Sequence, residues 1–185
     1  MQNLERLPSD LPVPLDDGGS QHLPGAALPH CQLPSTQGGE VDPAAITGRI
    51  VIYCYPMTGR PGQALPQGWD RIPGARGCTP QACGFRDHYA ELQQLQVQVF
   101  GLSVQSSAYQ QEAARRLHLP FALLSDADYE FTDALRLPTF EADGMRLNKR
   151  LTLAARNGVI EHCFYPVFPP DRHGEEVIAW LRRQP

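Results

Sequence analysis

Apolar positions along this chain fall into two periods, one of two residues and one near 3.6, separated by stretches with neither. Arg49-Ile50-Val51-Ile52-Tyr53-Cys54-Tyr55-Pro56 is an almost unbroken apolar run of strand-forming types. Such a run predicts a central strand buried on both faces. From residue 79 onward the periods alternate regularly. The pattern predicts a helix over 79–95, a strand over 97–104, a helix over 106–118, a short strand over 121–125 and a helix over 126–135. A loop over 138–148 then leads to a strand over 150–155. Asn157-Gly158 is a hairpin turn signal, so 159–165 reads as its antiparallel partner, and 175–183 as a closing amphipathic helix. Strand–helix alternation ending in a hairpin and a helix indicates an α/β fold, with a mixed central sheet flanked by helices.

The stretches without a period set the organisation. Residues 1–24 are rich in Pro, Gly and Asp and are expected to be an extended or poorly ordered N-terminal extension. Residues 25–47 alternate short apolar pieces with the turn Gln37-Gly38-Gly39, which predicts a small hairpin or edge strands. Residues 58–77 carry Pro61, Pro66 and Pro73 among several glycines, with Trp69 and Ile72 the large apolar anchors after Leu65. That reads as a long loop without secondary structure, of the kind that is usually functional or disordered. Residues 25–185 are therefore expected to form one domain carrying an inserted loop over 59–77.

Composition narrows the function classes. With 185 residues the chain is long enough for one domain with a substantial core. A formal net charge of −4 and no basic cluster with interleaved aromatics argue against nucleic acid or an anionic membrane as partner. No apolar run reaches the length of a membrane span, and residues 1–15 lack the apolar core of a signal peptide. Five cysteines at scattered spacing do not resemble a secreted disulfide framework, so a cytoplasmic, reducing location is expected. Cys54 reads as a small core residue and Cys31 and Cys163 as bystanders, with Cys163 beside His162 a second thiol of interest.

The remaining pair, Cys78 and Cys83, stands where the loop meets the first helix, in Gly77-Cys78-Thr79-Pro80-Gln81-Ala82-Cys83-Gly84. Backbone N–H groups and the positive end of the helix dipole converge there, and both favour thiolate, the nucleophilic form. Residues five apart in a helix are separated by roughly 7.5 Å of rise and about 140° of rotation. A disulfide needs Cα atoms within about 7 Å and facing Cβ vectors. The two cannot bond within one intact helix, so any reaction between them requires the first turns to unwind. Arg86 and Asp87 follow and are placed to pair with each other or to support the loop.

Gly77-Cys78-Thr79-x-x-x-Cys83 with Phe85-Arg86-Asp87, the strand ending in Tyr55-Pro56, Leu124-Ser125-Asp126, and Arg150-Leu151-Thr152-Leu153 followed by Asn157-Gly158-Val159-Ile160 together resemble the thioredoxin-fold peroxiredoxins. The resemblance covers residues 25–183 and is to the peroxiredoxin Q, or bacterioferritin comigratory protein, branch. It implies a thioredoxin-like fold and a thiol peroxidase. Cys78 would attack the peroxide, Arg150 would favour its thiolate and hold the peroxide, Thr58 would orient it, and Pro56 would shield the site. Cys83 would resolve the Cys78 sulfenic acid as an intramolecular disulfide, recycled by a thioredoxin-like or other thiol reductant. No cofactor or metal is implied, and the branch tends to monomers or weak homodimers. The sequence departs from the branch in one place. Ala75 stands where its threonine, three residues before the cysteine, is expected, and Arg71 where its proline is expected. An insertion over 59–77 accounts for this, with Pro56 and Thr58 keeping the two roles. Two rivals are a thioredoxin-like disulfide oxidoreductase, which uses Cys-x-x-Cys, and a non-enzymatic redox or metal module built on Cys78, Cys83 and His88.

Overall fold

A computed structural model describes residue 4 and residues 6–184; residues 1–3 and 5 of the expected N-terminal extension, and residue 185 of the domain, lie outside the described residues. The elements run β1 (Leu33–Pro34), β2 (Glu40–Val41), β3 (Arg49–Cys54), α1 (Cys78–Asp87), α2 (Tyr89–Gln94), β4 (Val97–Ser103), α3 (Ser107–Arg116) and β5 (Ala122–Ser125). They continue through α4 (Glu130–Ala134), β6 (Thr139–Ala142), β7 (Met145–Asn148), β8 (Leu151–Arg156), β9 (Val159–Phe164) and α5 (His173–Leu181). Five strands make one mixed sheet in the order β5-β4-β3-β8-β9. β3 and β4, and β4 and β5, are parallel, whereas β8 runs antiparallel to both β3 and β9.

The apolar run in β3 has a plain cause, since both faces of the strand feed a core. Val51, Tyr53 and the following Tyr55 pack on one side with Phe85 of α1 and Val177 and Ile178 of α5. Ile50, Ile52 and Cys54 pack on the other with Leu23, Leu28 and Phe131 of α4. The β3–β8 register sets Cys54 opposite Leu151. The chain leaving β3 therefore lies beside the chain entering β8, which carries Arg150 to the start of α1.

Several boundaries differ from the periodicity reading. The helix expected over 79–95 is two helices, because His88 (φ −101°, ψ 10°) leaves helical geometry and its ring pairs forward with Glu91 Oε1 at 2.8 Å. The helix expected from 126 starts at Glu130, because the Asp126 carboxylate accepts from the backbone N–H groups of Phe131 and Thr132 at 2.9 and 2.8 Å. The loop expected over 138–148 is the β6–β7 hairpin, turned by Asp143 and Gly144 at φ 47° and 72°. Its apolar side holds Phe140, Ala142 and Leu147 against Trp69. The 58–77 segment is not without secondary structure, for a 3-10 turn at Trp69–Arg71 buries the indole to 4% exposure. The closing helix begins earlier, at His173, after a 3-10 turn over Pro170–Arg172.

The described part of the N-terminal extension has no helix or strand up to residue 24 but turns at 9–10 and 19–22, where Gln21 N–H donates to Gly18 O and Leu23 N–H to Ser20 O. Leu23 is fully buried, and Asp17 accepts bonds from Lys149 and Tyr165. No helix among the described residues is long and apolar enough to cross a membrane.

Candidate active site

Gly77 sets the start of α1. Its φ of 112° favours glycine, and a methyl group there would stand 2.3 Å from Pro170 Cγ. Cys78 follows as the first helical residue, 5% exposed. Its Sγ receives Arg150 Nη2 at 3.1 Å. Arg150, itself only 3% exposed, spends its other donors on the same neighbourhood. Nε donates to Gly74 O at 3.2 Å, and Nη2 also to Ala75 O at 3.0 Å and Arg76 O at 3.3 Å. Nη1 donates to Gln81 Oε1. One guanidinium thus fastens the loop end and the first turn of α1 to the mouth of β8. A buried cation therefore faces the Cys78 sulfur where α1 begins.

Cys83 lies in the same helix and is half-buried, and none of the five cysteines is in a disulfide. Burial pushes the Cys31 thiol up to about 12 and Cys163 to about 11, and raises Cys54 well above its ordinary value. These three are poor nucleophiles near neutral pH.

Pro56 is buried in the bend after β3. Thr58 is buried too, but its hydroxyl donates to Gln105 Oε1 at 3.2 Å, and its backbone N–H to the same oxygen at 2.8 Å. Gln105 returns a bond from Nε2 to Thr58 O. The structure thus joins Cys78 to Arg150 and holds Thr58 on the end of β4. Arg86 pairs with Asp87 and also donates Nη1 to Leu117 O at 2.9 Å, below α3. His88 faces Glu91 and Glu175. Among the described residues no three His, Cys, Asp or Glu side chains converge as metal ligands. Trp69 meets Phe140 at 6.1 Å between ring centres and anchors the long loop, while Trp180 stacks on His162 at 5.1 Å.

Two buried residues that sequence reading passed over support the site. Gln81, fully buried, follows Cys78 by almost one helical turn and holds Arg150; the i, i+3 spacing was its only signal. His173, 1% exposed, bonds Thr152 Oγ1 through Nε2 at 2.8 Å and Glu176 through Nδ1 at 2.9 Å. Its ring also meets Phe85 edge-on, which locks α5 to α1. The contact is close, since a methyl group at Gly84 would stand 2.9 Å from Asp171 O. The Phe164–Pro170 segment lies over this junction, with Val167 buried and Phe168 38% exposed.

Residues 23–178 match the redoxin family. The chain is 29% identical over 159 residues to the chloroplastic peroxiredoxin Q of Oryza sativa subsp. japonica, an alignment covering 85% of this chain and 66% of that protein. It is 28% identical to the chloroplastic peroxiredoxin Q of Sedum lineare, over 85% of this chain and 77% of the relative. Among solved structures, the peroxidoxin BcpB of Mycobacterium tuberculosis superposes with a TM-score of 0.70 at 23% identity, covering 87% of this chain and 97% of that one. The bacterioferritin comigratory protein of Xanthomonas campestris, described for its alkyl peroxide reduction activity, gives 0.67 at 22% identity, over 87% and 95% of the two chains.

Proposed function

This chain belongs to the redoxin family, and from that premise we propose that it is a thiol-dependent peroxidase of the peroxiredoxin Q kind. The observation that carries the reading is the Arg150 Nη2 to Cys78 Sγ contact at 3.1 Å at the head of α1. In this reading the Cys78 thiolate attacks one oxygen of a peroxide ROOH. The O–O bond breaks, ROH leaves after taking a proton, and Cys78 is left as a sulfenic acid. Arg150 stabilises the thiolate and the charge that develops on the departing oxygen. Pro56 closes one side of the site, and Thr58 reaches the peroxide by exchanging its bond to Gln105.

The turns between Cys78 and Cys83 then unwind. The Cys83 sulfur attacks the sulfenic sulfur, water leaves, and a disulfide forms. A dithiol reductant of the thioredoxin kind restores both thiols by exchange, in a reducing compartment. The chain works as a monomer or weak homodimer and requires neither metal nor organic cofactor.

Peroxide consumption with dithiothreitol or thioredoxin as reductant tests the assignment. Cys78→Ser is expected to abolish turnover. Full turnover in that variant would remove the basis of the reading.

A further inference from the structure

The proposed peroxidatic thiol is covered by a segment outside the sheet. Leu4 stands 3.0 Å from where a Gly59 Cβ would be, and Leu7 is 3.1 Å from the same point on Gly77, next to Cys78. The void beside Cys78, walled by Leu4, Leu65, Trp69 and Arg76, measures only about 10 Å³. That is about the least space that holds one water molecule. Leu11 and Pro12 close the next gap, between Arg76 and Arg150.

Further along, Val13, Pro14 and Leu15 form one wall of a cavity of about 420 Å³, faced by Ile72, Phe140 and Val167, which Arg150 also lines. Val13 and Leu15 are 60% and 85% exposed, so this stretch rests on the site without being embedded in it. After a turn at residues 9–10, Pro12 and Pro14 keep residues 11–17 extended. Its far end is tied down by Asp17, whose carboxylate accepts from Lys149 Nζ at 2.5 Å and Tyr165 Oη at 2.7 Å.

We propose that Leu4 and residues 6–17 act as a strap that sets which peroxides reach Cys78. Docked, it leaves beside Cys78 little more than the space of one water, so hydrogen peroxide needs only a small outward shift of Leu4, whereas the apolar body of a bulky organic hydroperoxide must displace both Leu4 and Leu7. This rests on the peroxidase reading and assigns its selectivity to a segment that carries none of the reacting groups.

The test compares cumene hydroperoxide with hydrogen peroxide, as kcat/KM on the 185-residue chain, in wild type, in Leu4→Ala/Leu7→Ala and in Asp17→Asn. Wild type is expected to favour hydrogen peroxide. Both variants are expected to raise the cumene-to-hydrogen-peroxide ratio on the order of tenfold for the double variant and less for Asp17→Asn, with the hydrogen peroxide rate within about twofold. Asp17→Asn alters an exposed tether and decides the matter if the double variant does not fold. An unchanged ratio with hydrogen peroxide turnover intact would overturn the strap. A wild type that consumes neither peroxide would overturn the peroxidase reading, and the strap's role with it.

Discussion

Replacing Arg150 with methionine removes the cation while keeping an unbranched side chain of similar length. The direct loss is the bond from Nη2 to Cys78 Sγ at 3.1 Å. A hydrogen bond to a charged partner contributes roughly 1.5–3 kcal/mol, and at about 1.4 kcal/mol per decade the reaction of Cys78 with peroxide should slow by roughly ten- to a hundredfold. A second loss is structural. The carbonyls of Gly74, Ala75 and Arg76 and the Gln81 side chain all accept from the same guanidinium. Each buried acceptor left bare costs about 1–3 kcal/mol, so stability should fall by several kcal/mol unless water enters. Arg150→Lys separates the two effects, because an ammonium keeps the charge but cannot fork to all these acceptors. It should lie between wild type and methionine in rate. Stopped-flow Trp fluorescence under single-turnover conditions reads the rate, with Trp69 buried against the void beside Cys78 as reporter. Urea unfolding reads the stability. A folded Arg150→Met protein that reacts within twofold of wild type would refute the role given to the guanidinium.

Cys83→Ser should still react once with peroxide and then stop, accumulating a Cys78 sulfenic acid that dimedone traps; continued cycling without added small thiols would contradict the resolving role. Burial holds His173 below the usual imidazole value, while its bond to Glu176 holds that carboxyl below the usual range. The unfolded chain protonates His173 near pH 6.5, whereas the folded chain does so only at lower pH, so the unfolded state binds more protons and stability falls on acidification through that window. Thermal unfolding from pH 8 to 5 should show this fall, and His173→Gln should flatten it, leaving the smaller share from His162, also depressed by burial. An equally steep fall in the variant would contradict this origin. Gly77→Ala should destabilise by roughly 1–3 kcal/mol, because it combines a left-handed backbone with a clash against Pro170. A change under ~0.5 kcal/mol in urea unfolding would show that Pro170 moves aside.

The sheet was legible in the sequence because its strands announce themselves by burial. The apolar run of β3 and the Asn157-Gly158 turn between β8 and β9 each have a local cause. The β6–β7 hairpin was equally local, since Asp143-Gly144 between Phe140-x-Ala142 and Met145-x-Leu147 is a turn between alternating strands. Its two strands, four residues each and half-exposed, are too short for their period to stand out from a loop. The break at His88 and the late start of α4 depend on side-chain bonds, from His88 to Glu91 and to the Asp126 carboxylate, which periodicity does not carry. In the site, the spacing of Cys78 and Cys83 could be read directly, whereas Arg150 stands out only through the family resemblance and lies one residue before β8, which starts at Leu151. The bond holding Thr58 to Gln105 and the fastening of Arg150 by Gln81 could not, because each joins segments far apart in sequence. The path of Leu4 and residues 6–17 past Cys78 is hidden for another reason. A proline-rich apolar stretch has no period, and only the groove between the long loop and the Tyr165–Pro170 segment gives it a place.

The central claim is that Cys78 reacts first and Cys83 resolves it. Mass spectrometry of the reduced protein after one equivalent of hydrogen peroxide tests this most directly. The account predicts a peptide pair linked through Cys78 and Cys83 as the main oxidised species. Consumption of the peroxide with both of these thiols left free, or with oxidation centred on Cys31 or Cys163, would contradict it.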